Sequence, residues 1–183
     1  MTMTTGTPEH HPRYLIDTNC LITPYNDYYQ PRFAMSVPFW KRLKELVDQR
    51  EVGILSQVEK EILVGKKDND ELNDWMQSVK HTIIYPQSDS SIMSVYGSIM
   101  RYLTAKENDF SQKTQRSWMS PEIADPWLTA SAKQFNSTII TFEKPVGKVK
   151  GQPTRTVKIP NVATAYGMRC ISLFDFMNEV SGF

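Results

Sequence analysis

The chain has 183 residues, of which 40% are hydrophobic and 22% are charged, a composition that excludes a disordered protein and is sufficient for one buried core. Its 21 Lys and Arg residues against 20 Asp and Glu residues give a net charge of +1, which excludes a protein that coats nucleic acid through bulk positive charge. Because no apolar run approaches the roughly 20 residues of a membrane helix and the N-terminus lacks the features of a secretory signal, we expect a cytoplasmic protein without membrane contact.

The first half of the chain begins with a Thr- and Pro-rich tail over residues 1–12, which we expect to be disordered. The apolar run that follows is short and continuous, which is typical of a buried parallel strand. In chain order, the elements predicted in this half are a strand (14–16), an aromatic loop (23–37), a helix (39–50), a strand (52–55) and two helices (56–65 and 67–81).

The second half continues the alternation of strands and helices. Its predicted elements are a strand (82–85), a helix (88–103), an irregular polar segment (104–120), a helix (124–135), a strand (137–142), a basic segment interpreted as a hairpin (143–160), a strand (168–172) and a helix (173–180). This order predicts one α/β domain over residues 13–183 with a mostly parallel central sheet flanked by helices. In such sheets, functional sites form beyond the carboxyl ends of the strands.

Acidic side chains stand at the ends of predicted strands and near the starts of predicted helices. Asp17 and Glu143 directly follow two strands, while Glu61 and Asp125 lie in two helices. Each has an ordinary structural interpretation. Asp17 can cap a turn, and Asp125 can be a helix N-cap before a proline. Glu61, like its neighbour Glu59, can be a solvated helix charge.

The four carboxylates together favour a chemical role. Strand ends and helix starts can converge on one edge of an α/β sheet, where carboxylates repel one another unless a cation neutralises them. Oxygen ligands favour Mg²⁺ or Mn²⁺ over Zn²⁺. Such an ion can lower the pKa of a water molecule and stabilise the leaving oxygen of a phosphodiester. The sequence therefore predicts metal-dependent phosphodiester hydrolysis.

Four sequence motifs carry a resemblance to a known family. They are YLIDTN from residue 14, VEKEILVG from residue 58, ADPWLTASAKQF from residue 124 and STIITFE from residue 137. In order and spacing, the chain resembles the PIN-domain nucleases over residues 14–183, including the VapC-type toxins of bacterial toxin–antitoxin pairs. Its Tyr-rich loop after the first strand resembles a longer, poorly characterised bacterial branch of that family.

The resemblance implies a fold, an activity and partners. The implied fold is a PIN-like (Rossmann-like) three-layer α/β fold, and the implied cofactor is Mg²⁺ or Mn²⁺. The implied activity is endoribonuclease cleavage of an RNA substrate, by the toxin of a type II pair. The implied protein partners are a cognate antitoxin and a second copy in a homodimer.

The resemblance also assigns roles to individual residues. Glu143 stands where the family usually has Asp, so this longer side chain can bind a metal through water or be dispensable. Asn19 and Thr141 match polar positions that orient the ligands or water. The implied catalytic and metal-binding residues are Asp17, Glu61, Asp125 and Glu143.

Two further groups of residues are candidates for contact with RNA. The basic segment can bind phosphates without reading sequence, or it can be a solvated hairpin. Its cations are Lys144, Lys148, Lys150, Arg155 and Lys158. Aromatic rings in the loop over 23–37 can stack on bases, although we favour packing for them. These rings are Tyr25, Tyr28, Tyr29 and Phe33.

Two other functions fit parts of the sequence. A PIN-like module that has lost catalysis and binds RNA or protein is permitted by the Glu at position 143. A response-regulator or flavodoxin-like domain fits the alternating elements, but it predicts an acidic pair after the first strand. Here, Asp17 is followed by Thr18 and Asn19, so we rank this possibility last.

Overall fold

Short parallel strands form the centre of the structure, a computed structural model that describes residues 11–64, 71–147 and 156–183. The strands are β1 (Tyr14–Ile16), β2 (Val52–Gly53), β3 (Thr138–Ile140) and β4 (Cys170–Ile171). The α-helices of the described residues are α1 (Asn19–Thr23), α2 (Ser36–Asp48), α3 (Ser56–Val64), α4 (Glu71–Ser78), α5 (Ser90–Thr104), α6 (Gln112–Trp118), α7 (Ala124–Phe135), α8 (Ile159–Ala165) and α9 (Leu173–Val180). A π-helix (Pro24–Tyr28) directly follows α1.

The strand order in the sheet is β2-β1-β3-β4, and every pairing is parallel. Leu15 is in register with Gly53 on one side and with Ile139 on the other. Beyond β2, a parallel bridge between Leu55 and Ile84 extends the sheet by one more position. All carboxyl ends therefore meet at one edge, and the order reverses between β1 and β3, which is where α/β sheets form their binding crevices.

Gly53 is required where β2 crosses the core. A Cβ atom at this position would lie 2.7 to 2.8 Å from side-chain atoms of Pro12, Leu15 and Ile84. Real side chains do not approach so closely, so a larger residue at this position would have to displace these side chains. In the two strands that follow β2 in the sheet order, residues Tyr14 to Ile16 of β1 and Ile139 to Ile140 of β3 are fully buried.

Helix α7 is largely buried. It packs along α5 and contacts β1 and β3. Its small residues Ala130 and Ala132 are fully buried, which permits close approach, and the rings of Trp127 and Tyr96 stack 4.1 Å apart. Because this helix is fixed on both sides, the residues in its first turn have a defined position at the edge of the sheet.

The predicted α/β fold with a parallel sheet is confirmed. The strand over 14–16 and the helices over 124–135 and 173–180 have the predicted bounds, and the other predicted strands and helices are shifted or shortened by a few residues. The strand predicted over 82–85 is reduced to the bridge at Ile84, because 3-10 turns lie on both sides of it.

Helices occupy parts of three segments that we predicted to be irregular. The segment 23–37 begins with the end of α1 and the π-helix, and the segment 104–120 contains α6. Only Thr114 and Trp118 are buried in α6, so its sequence has too few apolar residues to show a helical periodicity. The hairpin predicted over 143–160 is replaced at its end by α8, where Pro160 lies at the helix start, a position that tolerates proline.

Residues 1–10 of the predicted tail, 65–70 and 148–155 lie outside the described residues. At the end of that predicted tail, the His11 ring stacks on Phe135 at 4.3 Å, and Pro12 is buried. Disorder over 1–12 and one domain over 13–183 stay predictions. Within the described ranges, no helix is long and apolar enough to span a membrane.

Candidate active site

The four predicted carboxylates lie at or near the carboxyl edge of the sheet and interact electrostatically. Asp17 directly follows β1, and Glu143 follows β3 by three residues. Asp125 is in the first turn of α7, and Glu61 is in α3. The negative charges of Asp17, Glu143 and Glu61 each raise the pKa of Asp125, so the other three carboxylates lie within electrostatic range of Asp125.

Asp17 is held by a network of side chains from two neighbouring strand ends. Its Oδ2 atom accepts hydrogen bonds from Thr141 Oγ1 at 2.7 Å and Asn19 Nδ2 at 2.5 Å. Asn19 Oδ1 in turn accepts the backbone N–H of Phe142 at 3.0 Å. Asn19 and Thr141 therefore fix the orientation of the Asp17 carboxylate, and their role in orienting metal ligands or water stays a prediction.

Burial makes the negative charge of Asp17 costly. The residue is only 3% exposed. Desolvation is the largest cause that raises its pKa to about 6, and the charges of Glu143 and Glu61 add to the increase. The hydrogen bond from Thr141 acts in the opposite direction, because it favours the charged form.

Glu61 connects three elements around the site. Its Oε2 atom accepts a hydrogen bond from the hydroxyl of Thr18, and its Oε1 atom accepts the backbone N–H of Ala124 at 2.9 Å. The second contact satisfies an N–H group at the start of α7 that has no partner within the helix. Of the two glutamates in α3 that we considered, Glu61 rather than Glu59 raises the pKa of Asp17 and Asp125.

Asp125 is not the N-cap that its Asp-Pro sequence suggests. Helix α7 begins at Ala124 after Ile123, so Asp125 lies inside the first turn. Desolvation, followed by the charges of the three other carboxylates, raises its pKa to about 8, and Lys158 partly opposes the shift. A partly buried aspartate whose charge is this unfavourable is typical of a functional site.

Glu143 has its own cationic partner. Its Oε1 atom accepts a hydrogen bond from Lys158 Nζ, and its Oε2 atom accepts the backbone N–H of Ile159 at 2.8 Å. The pKa of Lys158 is raised, mainly by this contact with Glu143 and also by the charges of Asp125 and Asp17. Among the described residues, the Lys158 ammonium group therefore interacts with Glu143, Asp125 and Asp17, so the negative charges exceed the positive charge that it supplies.

The donor atoms fit a hard divalent cation. They are carboxylate oxygens, the ligand type that Mg²⁺ and Mn²⁺ prefer, and their mutual repulsion is what such an ion would relieve. Among the described residues, however, no three His, Cys, Asp or Glu side chains are arranged so that they could hold a metal ion as they stand. Glu61 and Glu143 are engaged in the hydrogen bonds given above, so an ion would have to compete with those contacts.

The predicted RNA-binding cations are only partly described. Lys144 is exposed beside Glu143, and Lys158 contacts Glu143. Lys148, Lys150 and Arg155 lie outside the described residues. The RNA-binding role of these five residues stays a prediction.

Two of the four aromatic residues in the segment 23–37 pack, as we favoured. Tyr29 stacks on Phe39 with 3.9 Å between ring centroids, and Tyr25 lies edge-on to Trp40. The other two are exposed, Tyr28 to 46% and Phe33 to 38%.

Two features of the site were missed by sequence reasoning. Thr18 binds Glu61, and its position directly after Asp17 is the signal that could have found it. Lys158 was considered only as a phosphate contact, and no sequence signal places it beside Glu143. The residues between Glu143 and Lys158 match no recognisable motif. The contact forms because the start of α8 lies close to Glu143.

The fold is a three-layer α/β fold of the PIN-like type, and acidic residues follow two of its strands. One chain from the "Crystal structure of VapBC2 from Rickettsia felis bound to a DNA fragment from their promoter" is similar in fold, with a TM-score of 0.51. The similarity covers 87% of this chain and 97% of that chain at 14% identity, which supports the fold alone.

The family follows from the sequence. Residues 14–181 match the family model described as "Domain of unknown function (DUF4411)", so the chain belongs to that family. No curated protein matches the chain significantly.

Proposed function

We propose that this protein is an endoribonuclease that uses Mg²⁺ or Mn²⁺ to hydrolyse RNA phosphodiester bonds in the cytoplasm. The observation that carries the proposal is the convergence of Asp17, Glu61, Asp125 and Glu143 near the edge of a PIN-like sheet, where desolvation and then the charges of the neighbouring carboxylates raise the pKa of Asp17 and of Asp125. Excess negative charge at the crevice of an α/β sheet has no structural benefit, but it suits a divalent cation and a phosphodiester substrate.

Each residue of the site has a distinct role in this proposal. Asp17 and Asp125 would hold the ion, with Glu61 beside them. When bound, the ion supplies charge neutralisation for the phosphate and lowers the pKa of water. Asn19 and Thr141 fix the carboxylate of Asp17 through the hydrogen bonds to its Oδ2 atom.

Hydrogen bonds restrict the side chains of the other two carboxylates, Glu61 and Glu143. The hydroxyl of Thr18 holds Glu61, and Lys158 holds Glu143. Because Lys158 already neutralises Glu143, we assign this glutamate a supporting role instead of a direct bond to the ion. This assignment agrees with its greater length relative to the aspartate usual in PIN domains.

The proposed biological context is a type II toxin–antitoxin pair. The protein of similar fold comes from a structure of VapBC2 bound to a DNA fragment from their promoter. Because VapBC2 is a toxin–antitoxin complex, this similarity supports an antitoxin partner for the present chain. We also propose that the chain forms a homodimer. A short adjacent reading frame, whose product binds this chain and suppresses its activity, is the expected genetic signature.

The activity is tested with the purified chain and a mixture of single-stranded and structured RNA. We expect cleavage with Mg²⁺ or Mn²⁺, and loss of at least a hundredfold in rate for Asp17→Asn and for Asp125→Asn, since each removes a charged ligand. The matched control is Asp74→Asn on the exposed surface of α4, which should cleave like the wild type. Full activity in both site variants would refute the assignment.

A second function has a specific observation in its favour. Both oxygens of Glu143 are occupied by Lys158 and Ile159, and the described carboxylates are not arranged to hold a metal as they stand. A PIN-like module that binds RNA or protein without catalysis would have these properties. Calorimetry distinguishes the two functions, because the absence of Mn²⁺ binding at millimolar concentration favours the inactive module.

A further inference from the structure

Three aromatic rings form a cluster at the carboxyl edge of the sheet. Tyr28 ends the π-helix, Phe142 follows β3, and Phe174 lies in the first turn of α9. The ring centroids are 5.6 Å apart for Tyr28 and Phe174, 5.6 Å for Phe142 and Phe174, and 6.3 Å for Tyr28 and Phe142. We call these three residues the aromatic trio.

The trio is attached to the candidate active site through Phe142. This residue lies between Thr141, which binds Asp17, and Glu143, which binds Lys158. The backbone N–H of Phe142 donates to Asn19 Oδ1, so Asn19, which binds the carboxylate of Asp17, also fixes the backbone of Phe142. A nucleotide next to a phosphate bound at Asp17 would therefore reach these rings.

The exposure of the trio distinguishes it from the aromatic core. Phe39 and Phe176 pack against other rings and are at most 2% exposed, whereas Tyr28 is 46% exposed and Phe174 is 45% exposed. Large aromatic side chains at the surface lose the benefit of burial unless something covers them. Two half-exposed rings offer only on the order of 200 Å², far below the roughly 800 Å² per partner of a stable protein interface. This area is suitable for a ligand the size of one or two bases.

We propose that the aromatic trio is a stacking site for a base of single-stranded RNA next to the phosphate that is cleaved. This inference rests on the proposed function and adds its substrate class. Stacking on aromatic rings requires an unpaired base, since a base inside a duplex is already covered by its neighbours. The trio therefore selects single-stranded over double-stranded RNA without reading a particular sequence.

The test measures RNA binding without cleavage. Asp125→Asn serves as the parent protein, and fluorescence anisotropy with Mg²⁺ gives the dissociation constant for a labelled single-stranded oligonucleotide. Phe174→Leu keeps the apolar bulk and removes the ring, and we expect it to weaken binding about tenfold. Phe174→Tyr retains the ring and should bind like the parent. Tyr85→Ala is the control, because Tyr85 is 55% exposed and follows the bridge at Ile84 beyond β2, whereas Phe142 and Phe174 follow β3 and β4 on the other side of the sheet.

A second oligonucleotide separates stacking from a general effect on the fold. An abasic substitution at the nucleotide that stacks should weaken binding by the parent, and it should make the Phe174→Leu change neutral, since the two changes remove the same contact. Equal affinity of the parent and Phe174→Leu for RNA would overturn this inference and leave the proposed function standing. The same would follow if Phe174→Leu weakened binding equally for intact RNA and for fully abasic RNA. The absence of RNA binding by both the parent and the wild-type chain would overturn the proposed function as well.

Discussion

Replacing Asp125 with Asn should stabilise the metal-free protein at neutral pH. The pKa of Asp125 is raised from 3.8 to about 8 by desolvation and by the neighbouring carboxylates. Between these two values, the folded state holds a proton that the unfolded state releases. The free energy of unfolding therefore falls as the pH rises through this range, by about 1.4 kcal/mol per pH unit.

The size of the effect follows from the same numbers. At pH 7 the difference from the unfolded pKa of 3.8 is about 3 units, which gives a destabilisation of at most about 4 kcal/mol. Asn has the shape of the protonated side chain and no charge at any pH. For a domain of this size, removing the full penalty would raise the melting temperature by roughly 10 °C.

Urea unfolding in EDTA at pH 5 and at pH 7.5 provides the assay. The wild type should lose stability between the two pH values, and Asp125→Asn should lose less, with an unchanged dependence on denaturant concentration. Asp74→Asn on the exposed surface of α4 is the control, and it should follow the wild type. If Asp125→Asn is less stable than the wild type at pH 7.5, or if the pH dependence is identical in both, the electrostatic account of the site is wrong.

Three further predictions concern the contacts around the site. Thr141→Val removes the hydrogen bond at 2.7 Å to Asp17, and it should lower the free energy of unfolding by about 1–2 kcal/mol in a denaturant titration; no change would contradict that contact. Lys158→Met removes the partner of Glu143, whose side chain is 13% exposed, and it should lower the melting temperature in EDTA but less in millimolar Mg²⁺, whereas equal losses would show that no cation substitutes for the lysine. Changing Lys148 and Lys150 together to Ala should weaken RNA binding and reduce its salt dependence by about two phosphate contacts, and an unchanged slope would contradict a role for the basic segment.

The sequence was sufficient to predict the positions of those acidic residues that lie next to a clearly predicted strand or helix. Asp17 follows a continuous apolar strand, and Asp125 lies in the first turn of a helix that is predicted with the correct bounds, so both positions follow from short stretches of sequence. Because parallel strands place their carboxyl ends at one edge, the convergence of Asp17 with Thr141 also follows from the predicted fold.

Other parts of the site depend on contacts between distant segments and could not be predicted. The pairing of Lys158 with Glu143 requires α8, a seven-residue helix. Its start contains a proline, which in the sequence indicates an interruption of secondary structure. The aromatic trio joins Tyr28 to two rings, Phe142 and Phe174, that come more than a hundred residues later in the chain, and no periodicity relates Tyr28 to Phe174. Packing is the favoured prediction for the aromatic residues of the loop, which is correct for Tyr25 and Tyr29, whereas Tyr28 and Phe33 are exposed.

RNA cleavage under controlled metal concentration tests the central claim most directly. The purified chain is freed of metal with EDTA, and its activity is followed as Mg²⁺ or Mn²⁺ is returned, alongside Asp17→Asn and the Asp74→Asn control. We predict no cleavage in EDTA, recovery with either ion in the wild type and the control, and no recovery in Asp17→Asn. Cleavage that persists in EDTA, or that Asp17→Asn performs as well as the wild type, would contradict a metal-dependent nuclease at this site.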